Sequence, residues 1–439
     1  MKELIRPMRI RPIALCLALG AAPGFASAAH AQYDVTVLQD AGGQRTSQPE
    51  AINASGESVG FSNTAHGYDA VLWSSSGKAT VLTDAGGMGD SVDYAINYAG
   101  YSAGSSASPG GSFALGWSPS GTATRLHDIG GNGTSEAVAI NNDGDMVGWS
   151  ESAGSTLEAV LWAPKGRATE LQDVGGQGYS APYAINASAE SVGYSQTASG
   201  QEAVLWSESG AATVLQDTGG QGDSGAVAIN NVGESVGFSV TSTGQEAVLW
   251  SPSGTATVLQ DVGGQGFSGA VAISNAGNGN AGKSIGFSLT ATGQDAVLWG
   301  PKGKATVLQD IGGQGFDDAV AINGYGDSVG YSLTASGDEA VLWSSSGSAT
   351  NLGAWLGSAW SDTRAVGINL AGDIVGYGEY AGGENGSGQY GFLLTPVSAG
   401  SFDVATISAA AAPELSTWGM LTLGFMGLGF AAHRKKALG

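Results

Sequence analysis

An aspartate recurs at nearly constant spacing through this chain: Asp40, Asp84, Asp128, Asp173, Asp217, Asp261 and Asp310, each followed by x-Gly-Gly, until the pattern departs at Gly353. A carboxylate beside a Gly-Gly turn accepts backbone N–H bonds as an Asx-turn. With several more oxygens around it, it holds a hard cation such as calcium. Turn chemistry is the expected use. Asp173, Asp217, Asp261, Asp310 and Asp317 are weak calcium candidates, because GGQGFD (312–317) matches one copy of a calcium-binding repeat that works only in tandem.

Three further series accompany the aspartates. A second acid (Asp69, Glu158, Glu202, Glu246, Asp295, Glu339) precedes each Val-Leu-Trp string and would form a negative ring if these residues converge; otherwise it is a solvated strand end. An asparagine (Asn53, Asn97, Asn141, Asn186, Asn230, Asn323, Asn369) follows each Ala-Ile or Gly-Ile pair, and reads as turn chemistry rather than as a ring of ligands. The repeated tryptophan could stack on sugars, but its recurrence behind Ala-Val-Leu assigns it to a packed core. Between the ends the only histidines are His66 and His127, at non-equivalent positions, and no nucleophile elbow, zinc motif or phosphate-binding loop is present. A catalytic site is therefore not expected.

These residues must be positioned by a repetitive β scaffold. The 439 residues include 74 glycines, with 42% hydrophobic and 12% charged, a composition of short apolar strands and many tight turns. The A-V-L-W string, or a variant of it, ends at Trp73, Trp117, Trp162, Trp206, Trp250, Trp299 and Trp343, and GFLL (391–394) forms an eighth copy. One unit of about 44 residues holds four runs rich in Val, Ile, Leu, Phe and Trp, separated by turn residues, the size of a propeller blade. Short connections make AVLW and TATVL (247–259) one hairpin, and INNVGESVGFS (229–239) another. The strand order is then Ile-Asn inside, Val-Gly-Phe-Ser, Val-Leu-Trp, and Thr-Val-Leu outside. The array opens on a lone outer strand, VTVL (35–38), and closes on a blade lacking one. Pairing 35–38 antiparallel with 391–394 completes an eight-bladed β-propeller over 32–396 and hides both edges.

The ends read as addresses. Residues 1–12 carry four basic side chains, an apolar run follows at 13–25, and Ala29-His30-Ala31 completes a signal peptide cleaved after Ala31. The lone Cys16 lies in it, so the remainder has no disulfide. After a linker at 397–412 comes a tail at 413–439, with an apolar stretch at 418–432 and a basic cluster, Arg434, Lys435 and Lys436. Fifteen residues span only ~23 Å as a helix, short of a ~30 Å hydrocarbon core, which suits a transient stop. Between the ends 36 acidic and nine basic residues remain, a net charge near −27 that disfavours nucleic acid and anionic lipid.

Pro413, Glu414, Ser416, Thr417 and Trp418, then the apolar stretch and the basic cluster, make the tail resemble the PEP-CTERM sorting signal, with Leu415 in place of the usual second proline. The Ala-Val-Leu-Trp strand, Gly-Gly linker and Ala-Ile-Asn-x-x-Gly-x-x-Val-Gly hairpin resemble the HAF repeat of extracellular bacterial proteins. Here Val71, Val160 and Val204 stand where that family has Phe. Together the resemblances imply export, processing by an exosortase after transient inner-membrane contact, and association with exopolysaccharide. The expected function is a non-enzymatic surface or matrix scaffold that binds extracellular polysaccharide or matrix proteins. A calcium-dependent adhesin and a secreted carbohydrate-active propeller enzyme are the alternatives.

Overall fold

The computed structural model describes residues 32–397, apart from 132, 155, 221 and 276–281. These residues form eight four-stranded antiparallel sheets arranged as an eight-bladed propeller. In the fifth blade the order from the centre is Ser224–Ile229, Ser235–Thr241, Gly244–Trp250, Ala256–Val258, the order expected from the turns. Outer strands such as Ala256–Val258 are three residues long, which leaves little edge to template aggregation.

The ring closes as its ends require. Tyr33–Val37 lies beside Gly388–Pro396, with Val35 opposite Leu394, Thr36 opposite Leu393 and Val37 opposite Phe392. The Leu38 N–H extends the pairing to the Gly391 carbonyl at 2.8 Å. The eighth blade is thus three C-terminal strands plus one N-terminal strand.

The apolar core is divided into eight clusters between successive blades. Leu205 and Leu215 of the fourth blade meet Ala226, Ile229, Val248 and Trp250 of the fifth. Leu38 and Leu393 meet Ile52, Val71 and Trp73 across the closing seam. Each of the seven repeated tryptophans is fully buried, and each donates its indole N–H to a carbonyl of the preceding linker, as Trp250 does to Gln216 at 2.9 Å. The tryptophans are therefore core residues, and a Trp→Ala change at such a site costs about 3–5 kcal/mol.

Each inner strand carries a bulge before its Ala-Ile or Gly-Ile pair, as between Ala226 and Ala228. The bulge presses the inner strand onto the second strand. A Cβ at Gly237 would run into the Gly225 carbonyl oxygen, which explains the recurrent Val-Gly of the second strand. The one helix among the described residues is a single turn, Gly353–Leu356, in the linker between blades seven and eight.

Candidate functional site

Linkers and second-to-third-strand hairpins share one end of the ring, here called the linker face; the asparagine turns occupy the other. On the linker face the aspartates fold their own loops. Asp217 Oδ1 accepts the Gly219 N–H at 2.9 Å, and Oδ2 accepts the Gly222 N–H at 3.2 Å. Gly220 and Gly222 hold φ of 63° and 70°, the left-handed region where glycine is unstrained. The Ser239 hydroxyl then donates to Oδ1 at 2.6 Å, locking the loop to the second strand of the next blade.

The same lock joins Asp40 to Ser62, Asp84 to Ser106, Asp128 to Ser150, Asp173 to Ser195, Asp261 to Ser288 and Asp310 to Ser332. Burial acts to raise the Asp217 carboxyl, but the Ser239 hydroxyl and the glycine amides outweigh it and hold it below its usual value. Asp84, Asp128, Asp173, Asp261 and Asp310 are lowered by the same balance. The calcium candidates Asp173, Asp217, Asp261 and Asp310 thus spend their oxygens on amides and a hydroxyl. No group of three or more acidic, histidine or cysteine side chains placed to hold a metal occurs among the described residues.

Asp317, the fifth candidate, is different. It stands first in its inner strand, where six other blades carry serine and the eighth Thr363. In those blades this hydroxyl accepts an N–H from the preceding blade, as Ser268 does from Ala247 at 3.0 Å. Asp317 is 1% exposed, with no hydrogen-bond partner for either carboxylate oxygen. Burial, against the opposing pull of the nearby Ser332 hydroxyl and with repulsion from Asp310 and Asp295, pushes its carboxyl up to about 6.

The second acids are half-buried on the same face, and Asp69, Glu158, Glu202 and Asp295 each feel the linker aspartate that follows. Burial, then Asp310, raises Asp295; burial, then Asp217 and Asp223, raises Glu202. They form pairs within blades rather than a gathered site. On the opposite face Asn230 Oδ1 accepts the turn amides of Val232 and Glu234, the expected turn chemistry. Its Nδ2 has a second role: it donates to the Ser274 carbonyl of the next blade. The chain of such bonds runs from Asn53 to Asn97, Asn141, Asn186 and Asn230, and Asn369 returns to the Asn53 carbonyl at 3.0 Å across the seam.

Two further breaks in repeat symmetry stand out. The inner strands carry Glu136 and Asp318, whose carboxyls burial raises to about 7 against hydrogen bonds from Tyr94 and Tyr331. Arg364 pairs with Asp338 at 2.5 Å and lies 4.4 Å from the Tyr331 ring centre. The eighth linker is the second break. Ala354 stands where the other linkers have Asp, Gly378 stands where the second strand has Ser, and two residues are added between Leu352 and Thr363. The lock is lost on both sides together, and a pocket of about 290 Å³ opens beside Glu339, Asn351 and Trp360. The linker face also exposes Tyr68 (44%), Tyr179 (42%), Phe267 (37%) and Phe316 (39%). His66 and His127 are exposed on a hairpin turn and in a linker respectively, and no site is built from them.

The lock serines were missed in the sequence, although their signal is there: serine follows the linker aspartate by 22 residues in six of the seven cases. The signal-peptide site Ala31 and the sorting residues Pro413, Glu414, Ser416, Thr417, Trp418, Arg434, Lys435 and Lys436 lie outside the described residues. No helix among the described residues is long and apolar enough to cross a membrane.

No protein-family model matches the chain, and no curated protein matches it. Among solved structures it is similar to virginiamycin B lyase from Staphylococcus aureus, at 13% identity and a TM-score of 0.44, covering 83% of this chain and 99% of that one. It is also similar to a post-proline cleaving enzyme from Rickettsia typhi (9%, 0.48, covering 77% and 58%) and to the BP39L lectin from Burkholderia pseudomallei (9%, 0.38, covering 73% and 98%). At these values the likenesses carry nothing about ligand or activity.

Proposed function

We propose that this protein is an exported, non-enzymatic scaffold whose linker face binds extracellular polysaccharide. The exposed aromatics Tyr68, Tyr179, Phe267 and Phe316 carry the reading. They are large apolar rings on one face of a strongly acidic molecule, where solubility alone would favour polar residues. Aromatic faces beside hydrogen-bonding acids suit the apolar C–H face and hydroxyl edge of a sugar. Phe267 lies 5.9 Å from Phe287 and Phe316 lies 6.4 Å from Tyr331, so the rings are held by inner partners. Repetition around the ring supports weak contacts summed along a long polymer. The signal peptide and the PEP-CTERM-like tail support the extracellular placement, with an exosortase-type enzyme as processing partner.

Affinity electrophoresis of the full-length protein in gels containing neutral polysaccharide tests this. Retardation that falls on Phe267→Ala/Phe316→Ala is expected; unretarded migration through every polymer overturns the binding role. Mass spectrometry of the protein released by its native host tests the address. Peptides spanning Gly424 to Phe430 in that fraction would exclude processing of the tail.

A further inference from the structure

We infer that the pocket at the eighth linker is a subsite for one uncharged pyranose residue of a polysaccharide; the assignment rests on the polysaccharide reading above and deepens it. The pocket is an open depression of about 290 Å³, near the lower end of the range of about 300–1,000 Å³ for small-molecule sites. That size suits one sugar ring of a chain whose remainder lies outside the pocket.

The lining has the chemistry of a polyhydroxylated ring. Glu339 makes no hydrogen bond among the described residues, so its carboxylate is a free double acceptor. Asn351 uses Oδ1 to accept the Gly353 N–H at 2.7 Å, which leaves its Nδ2 as a donor. Ser358 is exposed, and its hydroxyl has no partner among the described residues. Thr363 Oγ1 accepts the Ala340 N–H at 2.9 Å and keeps its own proton to give. Trp360 supplies an apolar wall fixed from behind: its ring stacks on Tyr380 with centroids 4.4 Å apart and meets Phe392 edge-on at 5.5 Å. One wall for C–H groups and a mixed set of donors and acceptors for vicinal hydroxyls stand in one cavity.

The pocket is built rather than left over. In seven linkers the loop is locked by an aspartate and a serine; here both are replaced, by Ala354 and Gly378, and a helical turn with two added residues reroutes the chain. Gly353 leaves the Glu339 carboxylate in place, because a Cβ there would lie 2.7 Å from Glu339 Oε2 and push it aside. Charge selects the ligand. Glu339 is the one charged group in the lining, Asp338 being paired with Arg364, and with a formal chain charge of −22 it disfavours a uronate.

Isothermal titration calorimetry of the full-length protein with cellotetraose, mannotetraose, galactotetraose and tetragalacturonate tests the assignment. At least one neutral tetrasaccharide should bind and tetragalacturonate should not. Ser358→Trp, which fills the pocket from an exposed loop, and Glu339→Gln should each weaken binding at least about tenfold, a loss of about 1.4 kcal/mol, with unchanged melting temperature. Tyr101→Ala, an exposed aromatic beside the Asn97 turn on the opposite face, should leave tetrasaccharide binding intact. Neutral binding undiminished by Ser358→Trp, or equal binding of the uronate, overturns the subsite. Retardation by polymer with no tetrasaccharide bound overturns the subsite while the polysaccharide reading stands. Binding of neither overturns both.

Discussion

The Ser239 hydroxyl donates to Asp217 Oδ1 at 2.6 Å, from the second strand of one blade to the linker that enters it. The bond turns a glycine-rich loop into a fixed connector, and it recurs at every linker but the eighth. The aspartates of this chain therefore hold their own loops closed, and the acidity of the linker face is largely spent within the fold.

Breaking that lock has a definite cost. Asp217→Asn and Ser239→Ala should each destabilise the protein by about 1–3 kcal/mol, because a buried donor or acceptor is left unmet. Their double mutant should cost less than the sum, since both remove one interaction. Denaturant melts check this; additive losses would separate the two residues.

The locks also set the acid limit. Six of these carboxyls are held below the ordinary value of 3.8. A depressed folded value contributes stability that is present above 3.8 and lost as pH falls through the lower folded value. The melting temperature should stay level on this account down to about pH 4 and fall steeply below it. A smooth decline beginning well above that pH would contradict it.

Asp317 works in the opposite direction. Its folded value near 6 lies above the ordinary 3.8, so its contribution is present below 3.8 and lost as pH rises toward 6. Asp317→Ser restores the residue of six other blades and an acceptor for the preceding strand. It should gain about 1–3 kcal/mol at pH 8 and much less at pH 4. Thermal melts at the two pH values suffice, and equal effects at both would refute the account.

Removing residues 32–38 should expose the edge of Gly388–Pro396 and uncover Leu393 and the Trp73 cluster. A lower melting temperature and concentration-dependent association are expected by light scattering. A monomer of unchanged stability would show that the seam contributes nothing.

Calcium is expected to leave the melting temperature unchanged, because Asp173, Asp217, Asp261 and Asp310 already satisfy their oxygens on amides and a serine. Calorimetric melts with and without chelator decide it. A rise of several degrees in millimolar calcium would restore these residues as ligands.

The amino-acid sequence alone determined the number of blades, the order of strands within each and the pairing of residues 35–38 with 391–394. Those features follow from apolar period, turn residues and repeat count, all local or countable. It also placed the tryptophans in the core, since a large apolar residue repeated in every unit has to be buried. What only the tertiary structure decided is which polar groups meet across units. Ser239 reaches Asp217 because the chain crosses from one blade to the next, and Asn369 reaches the Asn53 carbonyl 316 residues away because the ring closes. The pocket that accompanies the paired loss at Ala354 and Gly378 emerges only when the eighth linker lies beside the second strand of its blade. Polar contacts depend on ångström-scale placement of distant segments: a constant spacing, such as the 22 residues from Asp217 to Ser239, can mark the partners but does not show that they meet.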